Sequence, residues 1–194
     1  MLLAVLVAPK SRNHYMENSH MDNISKVLVK SVHLGGGIVL EGHQYPSGEF
    51  GLSITSASTS LGFSREWLGR AIDRSGNTFK ALCSAGFSGI SEKVATPSNG
   101  GEQVSRSILL KDFNRLILYA ASKGNPEAVA LADALLSMSL TDLFRDTFGE
   151  RPLTLDEKRA AFYRSYAATI NWLEEDRQEW RVIEEQEAFI LSMS

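Results

Sequence analysis

The stretch SITSASTSLGFSREWLGRAIDR, residues 53–74, decides how the rest of the chain is read. Small residues Ala57 and Ser58 precede Leu61-Gly62 and Phe63. Ser64, a residue type that caps helix N-termini, then opens an amphipathic run with Leu68, Ala71 and Ile72 on one side. A helix-turn-helix needs little side-chain volume where its helices cross, a glycine able to turn sharply, and apolar residues that seat the second helix. Each requirement has its residue here. A helix laid in the major groove presents its N-terminal and outward residues to bases and phosphates. Those residues are Ser64, Arg65, Glu66, Gly69, Arg70 and Arg74, with Arg65 and Arg70 placed for base edges and Arg74 for phosphate. Lys80, Lys93 and Arg106 are expected to add phosphate contacts. The plainer reading is that three arginines on an exposed helix are solvated and that Trp67 only packs.

On the C-terminal side, Thr78 to Ala85 continues as a short helix. Two strand-like runs, GISEKVAT and EQVSRSILL, then flank Pro97-Ser98-Asn99-Gly100-Gly101, and Asn-Gly is a strong hairpin signal. A hairpin in this position is either the wing of a winged helix-turn-helix, offering Lys93 and Arg106, or an ordinary hairpin that closes a small sheet. On the N-terminal side, KVLVKSVHL and IVLEGHQY alternate apolar and polar residues around Gly35-Gly36-Gly37, which reads as two strands joined by a glycine turn. That triplet lacks the lysine and Ser/Thr of a phosphate-binding loop.

The C-terminal half is helical. Phe113, Leu116, Ile117 and Ala120 recur at helical spacing, Gly124 stops that helix, and Pro126 starts another that reaches Phe148-Gly149. Thr154 with Glu157 forms a capping box for a third helix extending to Ile190. Along it Tyr166, Leu173 and Trp180 fall seven apart, as do Ile183 and Ile190, but Asp176, Arg177 and Glu187 interrupt the stripe. The helix is therefore expected to pack on its own domain early and to meet a second copy, or another protein, later. Leu173, Trp180, Ile183 and Ile190 are the residues expected to do so.

The expected fold class is α+β, with short N-terminal strands, a winged helix-turn-helix-like middle and a helical C-terminal half with a long last helix. Residues 1–21 read as a disordered extension, 22–110 as the strand-rich DNA-binding region, and 111–194 as the helical interaction and dimerisation region. Up to Lys123 there are 13 basic and 9 acidic residues; from Gly124 on there are 7 basic and 14 acidic. That asymmetry suits a front facing nucleic acid and a solvated or protein-facing back. The lone Cys83 makes no internal disulfide, which fits a reducing, cytoplasmic setting. The apolar run Met1 to Val7 is too short to span a bilayer and lacks a basic leader, so no membrane role is expected.

Chemistry is sparse. All four histidines precede residue 50. Glu41 and His43 share a strand face with His33 across the hairpin, a loose zinc-like set that reads better as polar surface. No catalytic residue, metal or cofactor is expected. At residues 53–74, through Ala57, Ser58, Leu61-Gly62, Ser64-Arg65 and Leu68, the chain resembles bacterial and phage antirepressor-type proteins of the Bro-N and KilA-N group. It does so again at residues 109–149, through a helix, Gly124-Asn125, a helix and Phe148-Gly149. The two segments cover about a third of the chain. The resemblance implies a DNA-binding or repressor-binding role in transcription or phage control. The function expected is a DNA-binding regulator. The alternative is a protein-interaction adaptor, antirepressor or antitoxin-like, that acts through its acidic C-terminal helices without nucleic acid. A hydrolase built on His33, Glu41 and His43 ranks last.

Overall fold

A computed structural model describes residues 24–192, and the extension expected at 1–21 lies outside the described residues. The chain is α+β. Strands β1 (Ser25–Lys26), β2 (Leu28–Gly35), β3 (Ile38–Gln44) and β4 (Phe50–Ser53) are followed by helices α1 (Ile54–Thr59), α2 (Trp67–Arg74) and α3 (Asn77–Ser84). The hairpin β5 (Glu92–Ser98) and β6 (Gly101–Leu109) leads into α4 (Leu110–Ser122), α5 (Pro126–Thr147) and α6 (Leu155–Ser192). Among the described residues no helix is long and apolar enough to cross a membrane.

The six strands form one sheet in the order β1-β5-β6-β4-β3-β2. Its two ends, β1 and β2, are separated in sequence only by Val27, so the sheet must curl until its edges meet. At the seam the Val27 amide donates to the Ala95 carbonyl at 3.3 Å, extending the parallel β1–β5 pairing. Val27, Tyr45 and Val94 bury one another there. The glycine turn is real: β2 and β3 pair antiparallel, and Gly36 and Gly37 adopt φ of 58° and 80°. The β5–β6 hairpin belongs to this sheet, since β6 pairs with β4 through Ser107–Leu109 and β5 with β1 through Val94–Ala95. Beyond those pairings Thr96 is still buried, and the tip of the hairpin, residues 97–102, is exposed as an arm.

The main core lies between the sheet and the helices. Leu40, Leu52 and Ile108 of the sheet, Leu68 of α2, Phe113 of α4 and Phe162 of α6 share one buried cluster. The boundary expected at 110 is therefore a change of secondary structure within a single core, because β6 passes directly into α4 and both sides fill the same interior. Helices α5 and α6 run antiparallel. Lys158 pairs with Asp142 at 2.5 Å, and the hydroxyls of Ser165 and Thr169 both donate to Asp133 at 2.8 Å. Continuing that register sets Pro126, where α5 begins, opposite the turn around Glu174. From there α6 outruns its partner for roughly 27 Å at 1.5 Å per residue, and residues 174–188 are all exposed.

Candidate nucleic-acid interface

The helix pair in the decisive stretch is assembled by its small residues. Ser53 caps α1, its hydroxyl accepting from the Ser56 amide at 3.1 Å. Ala57 and Ser58 are fully buried where α1 meets α2. The Ser58 hydroxyl donates to the Ile54 carbonyl at 2.8 Å and accepts from the Leu68 amide at 3.3 Å, so α1 satisfies an N–H in the first turn of α2 that has no partner within that helix. Between the helices Gly62 has φ 72°, a left-handed conformation that larger residues disfavour. The turn is fastened from outside: the Asn125 side chain donates to the Leu61 carbonyl at 3.0 Å while its oxygen accepts from the Ala128 amide at 2.7 Å, capping α5.

α2 starts later than the sequence suggests. Glu66 holds the N-cap position without a side-chain bond, and Ser64 lies in the preceding turn, its carbonyl accepting from the Trp67 amide at 2.9 Å. The Ser64 hydroxyl accepts from Arg70 Nη2 at 2.8 Å, so it steadies that arginine and caps no helix. Leu68 and Gly69 are buried, Ala71 and Ile72 half-buried, and Arg70 and Arg74 exposed, with exposed Arg65 just ahead of the helix. Phe63 stacks on Trp67 with ring centroids 4.1 Å apart, fixing the entry to α2.

Arg70, Arg74 and Trp67 line a shallow groove completed by Gly76, Asn77 and Thr78 at the start of α3. Gly76 has no side chain to cap α3, so the uncapped start of α3 lines the same groove as Arg70 and Arg74. Uncapped helix amides beside cations favour an anion. Sequence reasoning missed this element of the surface; its signal was Ser75-Gly76-Asn77, in which Ser75 ends α2 at φ 48°. Lys80 is exposed on α3. Lys93 is exposed at the base of the hairpin, directly across from Arg106 in the strand register.

Arg106 is not a free cation. Its Nη1 donates to Asp73 at 2.8 Å, and its Nε and Nη2 donate to the Ser91 hydroxyl at 3.2 and 2.7 Å, tying the hairpin to α2. The arm beyond is poor in positive charge, and Glu102 near its tip pairs with Lys26 at 2.7 Å.

Elsewhere, His43 is buried, with Nδ1 2.9 Å from the Ser107 hydroxyl and Nε2 3.1 Å from Glu41. The Ser107 hydroxyl lies 3.3 Å from the Leu52 carbonyl, within the sheet. His33 pairs in register with Val39, and it does not join Glu41 and His43. Among the described residues no three His, Cys, Asp or Glu side chains gather as metal ligands would. On α6, Leu173 is half-buried against its own chain, whereas Trp180 and Ile183 are 58% and 43% exposed; the side chain of Ile190 lies outside the described residues. Compared with known protein families, characterised proteins and solved structures, the chain matches none.

Proposed function

We propose that this protein is a DNA-binding regulator that docks α2 in the major groove. The observation that carries the reading is the outward side of α2. Arg70 and Arg74 are exposed on α2 and Arg65 just ahead of it, while the opposite side of α2 is tied to α1 by Ser58 and its far end leads to the uncapped start of α3. Arg65 and Arg70, at the N-terminal end, are the base-reading side chains. Arg74, the α3 amides, Lys80 and Lys93 take phosphates. Such a regulator would work in the cytoplasm, and the resemblance of residues 53–74 and 109–149 to antirepressor-type proteins suits a role in transcriptional or phage control.

Titration of duplex DNA at a series of salt concentrations tests this. Affinity is expected to fall with a log–log slope of about −0.9 for each phosphate neutralised. Binding that is absent, or indifferent to salt, overturns the reading. A second reading rests on a different observation, the unpartnered acidic end of α6 with Trp180 and Ile183 exposed. In a regulator it joins two copies; in an adaptor without DNA affinity it holds another protein.

A further inference from the structure

The side chains of β2 alternate between two faces, and Leu28, Lys30, Val32 and Leu34 fall on one of them. That face forms a wall of a concave cavity of about 500 Å³, closed by β3, β4, α4 and α5. Its surfaces are apolar and open to solvent: Leu28 is 66% and Phe50 57% exposed, with Leu52, Phe113 and Leu135 deeper in. The volume falls within the roughly 300–1,000 Å³ of small-molecule sites. No acidic side chain lines it, and Lys30 is its one lysine or arginine. Among the described residues Lys30 makes no ion pair. An apolar trough with a single unneutralised ammonium matches a molecule with a hydrocarbon body and one negative charge. Concavity favours a small ligand over a protein face, which needs breadth.

We propose that this groove binds a medium-chain carboxylate, its hydrocarbon against Leu28, Val32, Leu52 and Phe113 and its head group on the Lys30 ammonium. The occupant would touch Phe50 and Leu52 on β4, one residue before Ser53 caps α1, so the site adjoins the helix pair. The proposal stands apart from the DNA reading and is tested without nucleic acid.

The test is titration of the methyl-labelled full chain with octanoate and with octanol. The methyl signals of Leu28, Val32, Leu40 and Leu52 are expected to shift and those of Leu136 and Leu143, on exposed parts of α5, to stay. Lys30→Met is expected to weaken octanoate about fivefold, the effect of roughly 1 kcal/mol from a half-wet ion pair, and to leave octanol unchanged. Val32→Glu, at a half-exposed position that tolerates the change, blocks both. Absent shifts, shifts elsewhere, or equal weakening of both ligands by Lys30→Met overturn the proposal. So does binding that appears only on dilution, which would assign the groove to a second copy, or only after removal of residues 1–21, which would assign it to this chain's own N-terminal segment.

Discussion

Arg70, Arg74 and Arg106 look alike in the sequence but differ in what they touch. Arg106 divides its guanidinium between Asp73 and Ser91, and its side chain is 28% exposed. Arg106→Ala is expected to cost about 1 kcal/mol, since the Asp73 end of the pair is well solvated. It lowers the thermal midpoint and, on the proposed DNA-binding reading, leaves the salt slope of binding in place. Arg70→Ala and Arg74→Ala should behave the opposite way, with stability held within about 0.5 kcal/mol and the Arg74 variant flattening the salt slope by about one. A calorimetric scan beside a salt titration separates the two behaviours. Glu157 supplies a pH handle. The Arg151 guanidinium, then the Thr154 amide and hydroxyl, draw its carboxyl down to about 2 from an ordinary 4.5. A folded value below the unfolded one means that its contribution is present above about 4.5 and is lost as pH falls toward about 2. The protection of the Glu157 and Lys158 amides, taken relative to their intrinsic exchange rates, is expected to fall across that window, and Glu157→Gln should abolish that pH dependence.

At the scale of elements, Ala57, Ser58, Gly62 and Leu68 made the α1–α2 pair legible, because each is a local steric requirement visible in one window of sequence. The start of α2 was misread because Ser64 has the chemistry of a cap, yet its hydroxyl is taken by Arg70. β4 was missed for a similar reason. Phe50–Ser53 is short and runs without a break into α1, and its strand character comes from β3 and β6, distant in sequence. The curled sheet was equally out of reach, since it depends on Val27 joining strands that pair at opposite edges. Asn125 combines a local role with a distant one. Its place before Pro126 marks a helix cap, but nothing nearby in sequence reveals that it also holds Leu61 in the turn between α1 and α2. Asn125→Ala is expected to cost about 1 kcal/mol for the lost cap. It should also loosen the turn, seen as faster amide exchange at Leu61–Phe63. Asn125→Ser, which restores the cap but is too short to reach Leu61, should recover the stability and leave that exchange fast.

For the whole molecule, the charge boundary at Lys123 and the limit of the folded core are different places. Cutting there would isolate the basic front as a DNA-binding piece, but it would remove Ala128, Leu131, Ala134 and Phe162, all buried with Leu40, Leu52 and Phe113. Losing even one large core side chain costs about 2–5 kcal/mol, against a total stability of about 5–15 kcal/mol for a domain. Residues 22–123 alone are therefore expected not to fold. The register of α5 on α6 sets the better limit, because no described part of the chain covers α6 beyond the turn around Glu174. A chain ending at Leu173 keeps Phe162, the Asp133 bonds and the Lys158–Asp142 pair, and should unfold within a few degrees of the full protein. It loses exposed Trp180 and Ile183, so if the end of α6 joins two copies, sedimentation should move from dimer to monomer on truncation. On the proposed DNA-binding reading, affinity should then fall for a two-site duplex more than for a single half-site, because linked sites lose the gain in effective concentration. A full-length protein that is monomeric at high micromolar concentration would leave α6 to another partner. A truncated protein that still dimerises would move the interface to the exposed face of α5 at Leu136, Leu140 and Leu143.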